Sequence, residues 1–564
     1  MSLRRAMNLA GLACLAVVGI SCGQVYRPVV IPCVGANPVP GCTNSNPPTP
    51  GNFHTIFSLT SNDYYGLDVH GNLVWSFTQG TSMQYDVSGD STIGVTANNP
   101  TIVSTNPTHA ALNSTQSRMF VANAASVNSG AGDSVGTFLP ENSFSTSISP
   151  STIFSLPTAP QNLPVGAAPM VFPYLPDFVT ATSGALAFVV NYGVDATAVG
   201  PGTQITAVNT ESISVMSTAQ NGVINTLYLG ANLHPISMAE TPDATKLYAG
   251  TQGISAVFSF NTVDMSQNAI TNASGVTFPG STPVWMVARP DSQKIYVLTQ
   301  GSGANPGELF TLDVATDTVT AANAVSNGAN YVLFDPKLDR IYVTSPATSA
   351  VYIFSATSTV GGVTMDAPSL LATVTIPASV GCSGCQQPAP VSVTALPDGT
   401  RAYVASYQLQ ATCTENDPVN TSACMVYPQV TVIDEVSNTI KTTLSPLPPP
   451  IAPNTQQAVP EVGSCIASVP YSPGVVTLPA AAAPSVQSVR FRVSAAASAD
   501  STRVYVSICD AQSVGTINTT NQNSNGGNYP PDTLVTNLAT PVAGCSSTCN
   551  TTPRQTPLFL LAGQ

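Results

Sequence analysis

Charge is what this chain has least of. Asp, Glu, Lys and Arg together make up 8% of its 564 residues, and Lys plus Arg number only 15. A helical bundle, which draws on Glu, Lys and Arg for its exposed faces, is excluded by that scarcity. No basic cluster exists beyond the N-terminus, so recognition of nucleic acid through a positive patch is excluded too. The formal net charge of −13 reads as solubility. There are two Trp and four His (His54, His70, His109 and His234), and no two His stand at a metal-ligand spacing. No nucleophile elbow, Walker loop or dinucleotide fingerprint appears in a βαβ context. The sequence therefore calls for no cofactor and no metal, and marks no catalytic residue.

What is present is apolar and turn-forming. Apolar residues reach 43%, with 48 Pro and 41 Gly. That mixture suits short β-strands joined by many turns. Two stretches show one pattern twice over, Pro283 to Thr299 and Asn330 to Ser345. Each is an apolar strand, a turn with Asp and Pro, a basic residue, then a β-branched and aromatic strand. Lys294 and Arg340 hold the same place, 46 residues apart. A repeat in the forties with strand–turn–strand inside it is the mark of a propeller blade.

The same landmark strand begins at Arg118, Leu186, Lys246, Lys294, Arg340, Arg401 and Arg503, which makes seven copies. The copy at Leu186 lacks the basic residue; the Lys or Arg of the others is expected to be a solvated strand end. The Y-V-T-S at Tyr342 to Ser345, with Tyr-Val also at Tyr296, Tyr403 and Tyr505, resembles the YVTN-type repeat of bacterial surface propellers, over roughly residues 100–540. The resemblance implies an all-β, seven-bladed propeller of four-stranded antiparallel blades. Related propellers include lactonase-type enzymes and extracellular binding proteins, so it implies no single chemistry.

Residues 1–22 read as an export signal: Arg4 and Arg5, then an apolar core from Ala6 to Ile20 that is short for a membrane span. The G-I-S-C-G at Gly19 to Gly23 resembles the bacterial lipobox, with Gly19 where Leu is usual. It implies lipidation of Cys22 and anchoring in the cell envelope. Residues 23–52, with Pro or Gly every few positions, read as a tether. The propeller is placed at 53–545, and 546–564 as a tail or closing strand. G-L-D-V-H-G-N-L-V-W-S-F (Gly66 to Phe77) is read as a hairpin. The 102 residues between Arg401 and Arg503 hold a Pro-rich insertion at about 446–484, expected as a loop over one face.

Setting aside Cys14 and Cys22, ten cysteines remain in an exported chain, an even number that favours disulfides. Proximity in sequence suggests Cys33–Cys42, Cys382–Cys385, Cys413–Cys424, Cys465–Cys509 and Cys545–Cys549, with connectivity open. His109 and His234 sit in the leading strands of two blades and are the candidate channel-facing bases. Glu240 and Asp243 follow His234, and Asp243 is read as a turn residue. Two functions fit: a monomeric surface module binding a protein or glycan partner, or a lactonase-like hydrolase with its site in the central channel. The sequence leans towards the first and leaves enzymatic activity open.

Overall fold

The computed structural model describes residues 55–563 apart from a series of connecting segments, the longest being 139–151, 156–175, 193–210, 412–424, 466–490 and 541–554. The signal and tether, Cys22, His54, His70 and six of the paired cysteines (Cys33, Cys42, Cys413, Cys424, Cys545 and Cys549) lie outside the described residues.

Among the described residues, eight antiparallel sheets are arranged around an axis. Their innermost strands, in ring order, are Pro107–Leu112, Pro176–Thr180, Pro235–Glu240, Ser281–Ala288, Tyr331–Asp335, Ala389–Ala395, Val493–Ala497 and Thr556–Ala562. We number the blades 1 to 8 in that order. Each inner strand lies beside the next, and that of blade 8 returns to that of blade 1. The fold is a β-propeller of eight blades, which corrects the seven expected from the repeats. The eighth blade is built from both ends of the described chain. Its inner strand, Thr556–Ala562, pairs with Thr55–Ser61, which pairs in turn with Gln79–Asp86. Thr55–Ser61 has neither a basic first residue nor a Tyr-Val, so it carries none of the landmarks that reveal the other seven. Joining the ends in one sheet gives every blade two neighbours and leaves no terminal blade exposed.

The landmark strands are buried on both faces, as in Met119–Asn123 and Arg503–Ile508. Blade-to-blade packing explains this. Tyr248 packs with Met286 and Ile295 between blades 3 and 4, and Tyr342 packs with Val393 and Val404 between blades 5 and 6. Each such ring contributes on the order of 2 kcal/mol by leaving water.

Five of the basic residues, Lys246, Lys294, Arg340, Arg401 and Arg503, are paired rather than solvated strand ends. Lys246 reaches both oxygens of Asp317 at 3.0 Å, on the next blade, and the Tyr248 hydroxyl donates to the same carboxylate at 2.7 Å. Arg401 and Tyr403 of blade 6 hold Asp532 of blade 7, at 2.5 and 2.6 Å. Arg503 and Tyr505 of blade 7 hold Asp90 of blade 8. At the junction of blades 4 and 5 the cation comes from a different place: Arg289 pairs with Asp366, while Lys294 turns to Asp313 of its own blade. Tyr248, Tyr342, Tyr403 and Tyr505 are thus each half of an inter-blade clamp, whereas the Tyr296 hydroxyl is buried without a hydrogen-bond partner among the described residues. Blades 1 and 2, whose landmark strands carry Phe120 and Phe188 in that place, lack the hydroxyl. Clamping requires an acid to be buried, and the paired cation and hydroxyl offset its desolvation.

The turns after the inner strands use short polar caps. Asp243 accepts from the Thr245 amide at 3.1 Å, and Asp500 from the Thr502 amide at 3.0 Å. Gly399 has φ +75°, and a Cβ there would meet Lys337 of blade 5 at 2.7 Å, so the turn needs glycine for both conformation and space.

Candidate functional site: the aromatic mouth of the axis

The antiparallel order places the start of every inner strand and the end of every second strand on one face. The ends of the outermost strands, from which the chain leaves for the next blade, lie there too. The opposite face carries the turns and clamps. The axis therefore has one loop-rich mouth.

Six inner strands share a local signature at that mouth. Pro107–Thr108–His109, Pro176–Asp177–Phe178, Pro235–Ile236–Ser237, Pro283–Val284–Trp285, Pro390–Val391–Ser392 and Pro557–Leu558–Phe559 each contain a register shift that skips the middle residue. Proline lacks the amide that a ladder needs, so it stands at or near the strand's first position, and the bulge re-aims the residue two places on. Four of the six re-aimed residues are rings. Blades 5 and 7 lack this proline and supply Tyr331 and Phe491.

The rings converge. His109 stacks on Phe178 at 3.7 Å between centroids and on Phe559 at 5.3 Å. Phe178 meets Trp285 edge-on at 5.5 Å, and Trp285 meets Tyr331 at 5.1 Å and Phe491 at 6.2 Å. Blades 1, 2, 4, 5, 7 and 8 are thereby joined across the axis, which is plugged with aromatic groups. Trp285 and Tyr331 are half-buried, while Phe178, Phe491 and Phe559 are buried.

His109, a candidate base in the sequence reading, sits inside this plug. It is buried, and its Nδ1 accepts the Val179 amide of blade 2 at 3.3 Å. Burial holds its pKa down at about 3, so the ring is neutral and bridges blades 1, 2 and 8. His234 lies at the rim of the mouth, directly before Pro235, with a left-handed φ of 46°. Its Nδ1 is 3.1 Å from Glu211, which is fully buried, and its ring stacks on Tyr192 at 4.6 Å. The two histidines thus have different surroundings: one among rings, the other beside a carboxylate. Glu240 does not join them; it accepts from Thr180 and from the Thr182 amide across the junction of blades 2 and 3. Asp243 is a turn residue.

Two described points of the long insertion lie beside the same mouth. Val459–Pro460 pairs with Met425 and Val426 of blade 6, and Cys465 is bonded to Cys509 at the end of the second strand of blade 7. Cys382 and Cys385 lie side by side in the connection from blade 5 to blade 6, with Cα atoms 5.7 Å apart. Sequence reasoning missed a neighbouring group. Arg492 and Asp510 are both fully buried and paired at 2.7 Å, with the guanidinium 5.2 Å from the Tyr407 ring centre. The hairpin read near Gly66 is present as Tyr64–Leu67 paired with Leu73–Ser76. It projects from blade 8 on the loop-rich side.

No family model and no curated protein matches the chain. Among solved structures, AztD from Citrobacter koseri is 8% identical, with 91% of this chain and 99% of that one covered and a TM-score of 0.46. A putative 6-phosphogluconolactonase from Bacteroides fragilis is 12% identical over 92% of this chain and all of the other, with a TM-score of 0.40. Hydrazine synthase from Kuenenia stuttgartiensis is 15% identical over 74% of this chain and 96% of that one, at 0.39. The propeller assignment rests on the eight sheets themselves. These likenesses say nothing of activity.

Proposed function

We propose that the chain is an exported propeller, lipid-anchored through Cys22 in the bacterial cell envelope, that binds a protein or glycan partner with its loop-rich face. The observation that carries this reading is the aromatic plug. Trp285 and Tyr331 offer half-buried ring surface at the mouth, which suits stacking against a sugar ring or an apolar side chain. His109, by contrast, is neutral and stacked between Phe178 and Phe559, a setting that suits packing better than proton transfer. The test is a glycan array and an envelope-extract pull-down with the mature protein and its Trp285→Ala variant. Binding that weakens at least about tenfold in the variant supports the mouth as the contact. Binding that is unchanged places it elsewhere. Mass spectrometry of the mature N-terminus tests the anchor, and an unmodified Cys22 removes it.

A second reading, a lactonase-like hydrolase working at the mouth, is favoured by one observation. A carboxylate 3.1 Å from His234 Nδ1 orients an imidazole as a base is oriented. Lactone hydrolysis by the purified protein, abolished by His234→Asn, would carry that reading over the first.

A further inference from the structure

The clamp between blades 5 and 6 differs from those that hold Asp317, Asp532 and Asp90. Where Lys246, Arg401 and Arg503 contact the carboxylate of the neighbouring blade directly, Arg340 of blade 5 does not. Its Nη1 is spent on the main-chain oxygen of Glu435 and on Asn438 Oδ1 at 2.6 Å. The Glu435 carboxyl, fully buried, receives only the Tyr342 hydroxyl at Oε1, 2.6 Å away. Its Oε2 is buried with no hydrogen-bond partner among the described residues. Glu435 is also the one Glu among these clamp acids; the others are Asp317, Asp532 and Asp90.

The same junction holds an open space beside its packed core. A cavity of about 500 Å³ opens between the inner strands of blades 5 and 6, its lining including Leu333, Phe334, Asp335, Lys337, Thr394 and Pro397. The charged groups around Glu435 come from every neighbouring element: Arg340 and Asp335 from blade 5, and Asp398 from the first turn of blade 6. Tyr342 is the other titratable neighbour. Two negative groups and one diverted cation make an ionised Glu435 poorly compensated.

We propose that Glu435 makes the junction of blades 5 and 6 a proton-operated latch, closed while its carboxyl is protonated and loosened when it ionises. Burial is the main cause, with Asp335 and Asp398 adding to it, of a Glu435 pKa raised to about 7. The Tyr342 hydrogen bond and Arg340 pull the other way. A raised carboxyl pKa favours the closed junction fully below the ordinary value of 4.5 and withdraws the benefit progressively as pH rises from there to about 7. The latch thus works between those two values, while the clamps whose carboxylates meet a cation directly serve as internal references.

Hydrogen exchange of the whole protein, read by mass spectrometry at pH 5.5, 7.0 and 8.5 and corrected for intrinsic rates, tests this. In the wild type, exchange in Arg340–Ser345 and Met425–Asp434 should rise at least about tenfold between pH 5.5 and 8.5, with most of the rise complete by about 7 and its midpoint below that. Arg503–Ile508, behind its Asp90 clamp, should stay flat. Glu435→Gln, neutral at every pH, should abolish the step. Tyr342→Phe removes a hydrogen bond that favours the ionised form and should move the midpoint upward. A wild type without the step, or a step that survives in Glu435→Gln, overturns the proposal. Should Glu435→Gln fail to fold, an unmoved midpoint in Tyr342→Phe overturns it as well.

Discussion

Arg503 and Asp90 stand 413 positions apart in sequence and meet across the junction of blades 7 and 8, with Nε and Nη2 each 2.9 Å from a carboxylate oxygen. Both side chains are nearly inaccessible, at 1% and 5%. The pair ties the last complete blade to the one assembled from both chain ends. Arg503→Met leaves Asp90 buried without its cation and should cost about 3–5 kcal/mol. Arg503→Met combined with Asp90→Leu should recover much of the loss, because an apolar pair needs no counter-charge. Denaturant unfolding of the two variants measures both.

Ring closure rests on one strand. Removing residues 555–564 deletes the inner strand of blade 8 and exposes the paired face of Thr55–Ser61, with Phe559 lost from the plug. The truncated protein should unfold at a lower temperature or aggregate through the open edge. A synthetic peptide of the deleted segment should restore the melting temperature in a concentration-dependent way. Calorimetry with and without peptide reads the effect.

His109 gives the plug a pH dependence of known sign. Its folded pKa lies near 3, below the 6.5 of a free imidazole. The unfolded chain therefore binds a proton that the folded chain refuses. Stability is complete above about 6.5 and declines as pH falls towards 3, by up to roughly 4 kcal/mol. His109→Phe should lower stability at pH 7.5 by about 1–3 kcal/mol, because the Val179 amide loses its acceptor. It should also flatten the acid limb between pH 6.5 and 3. Stability curves of both proteins across that range check the crossing.

Asp510→Ala strands the buried Arg492 and should destabilise by about 3–5 kcal/mol. Cys465→Ser, which frees a 44-residue span, should cost about 2–4 kcal/mol. Its proteolysis should be fastest within 446–490. Limited proteolysis followed by mass spectrometry separates the two, since Asp510→Ala should weaken blade 7 itself.

Trp285 joins Phe178, Tyr331 and Phe491. Trp285→Ala should leave a cavity on the axis and cost about 3–5 kcal/mol. Trp285→Phe should cost less. Thermal melts rank the three proteins.

Much of the fold was legible because a blade is a local object. The period of 46 residues at Lys294 and Arg340 and the Tyr-Val strands follow from one strand–turn–strand unit that each segment forms with its own neighbours. The eighth blade was illegible for the same reason. Its strands come from residues 55–105 and 556–562, and no local pattern links them. One signal was present and unread: Pro557–Leu558–Phe559 repeats the proline–x–ring spacing of Pro107–Thr108–His109 and Pro176–Asp177–Phe178.

The sequence by itself determined the strand-and-turn grammar and the antiparallel blades, since these depend on alternation and turn chemistry within a few tens of residues. Only the tertiary structure decided the blade number, the partners of the basic residues and the surroundings of the two histidines. Arg503 looks like an exposed strand start until Asp90 arrives from the other end of the chain. His109 looks like a base until Phe178 and Phe559 close over it. Burial is a property of what surrounds a residue, and here the surroundings come from blades distant in sequence.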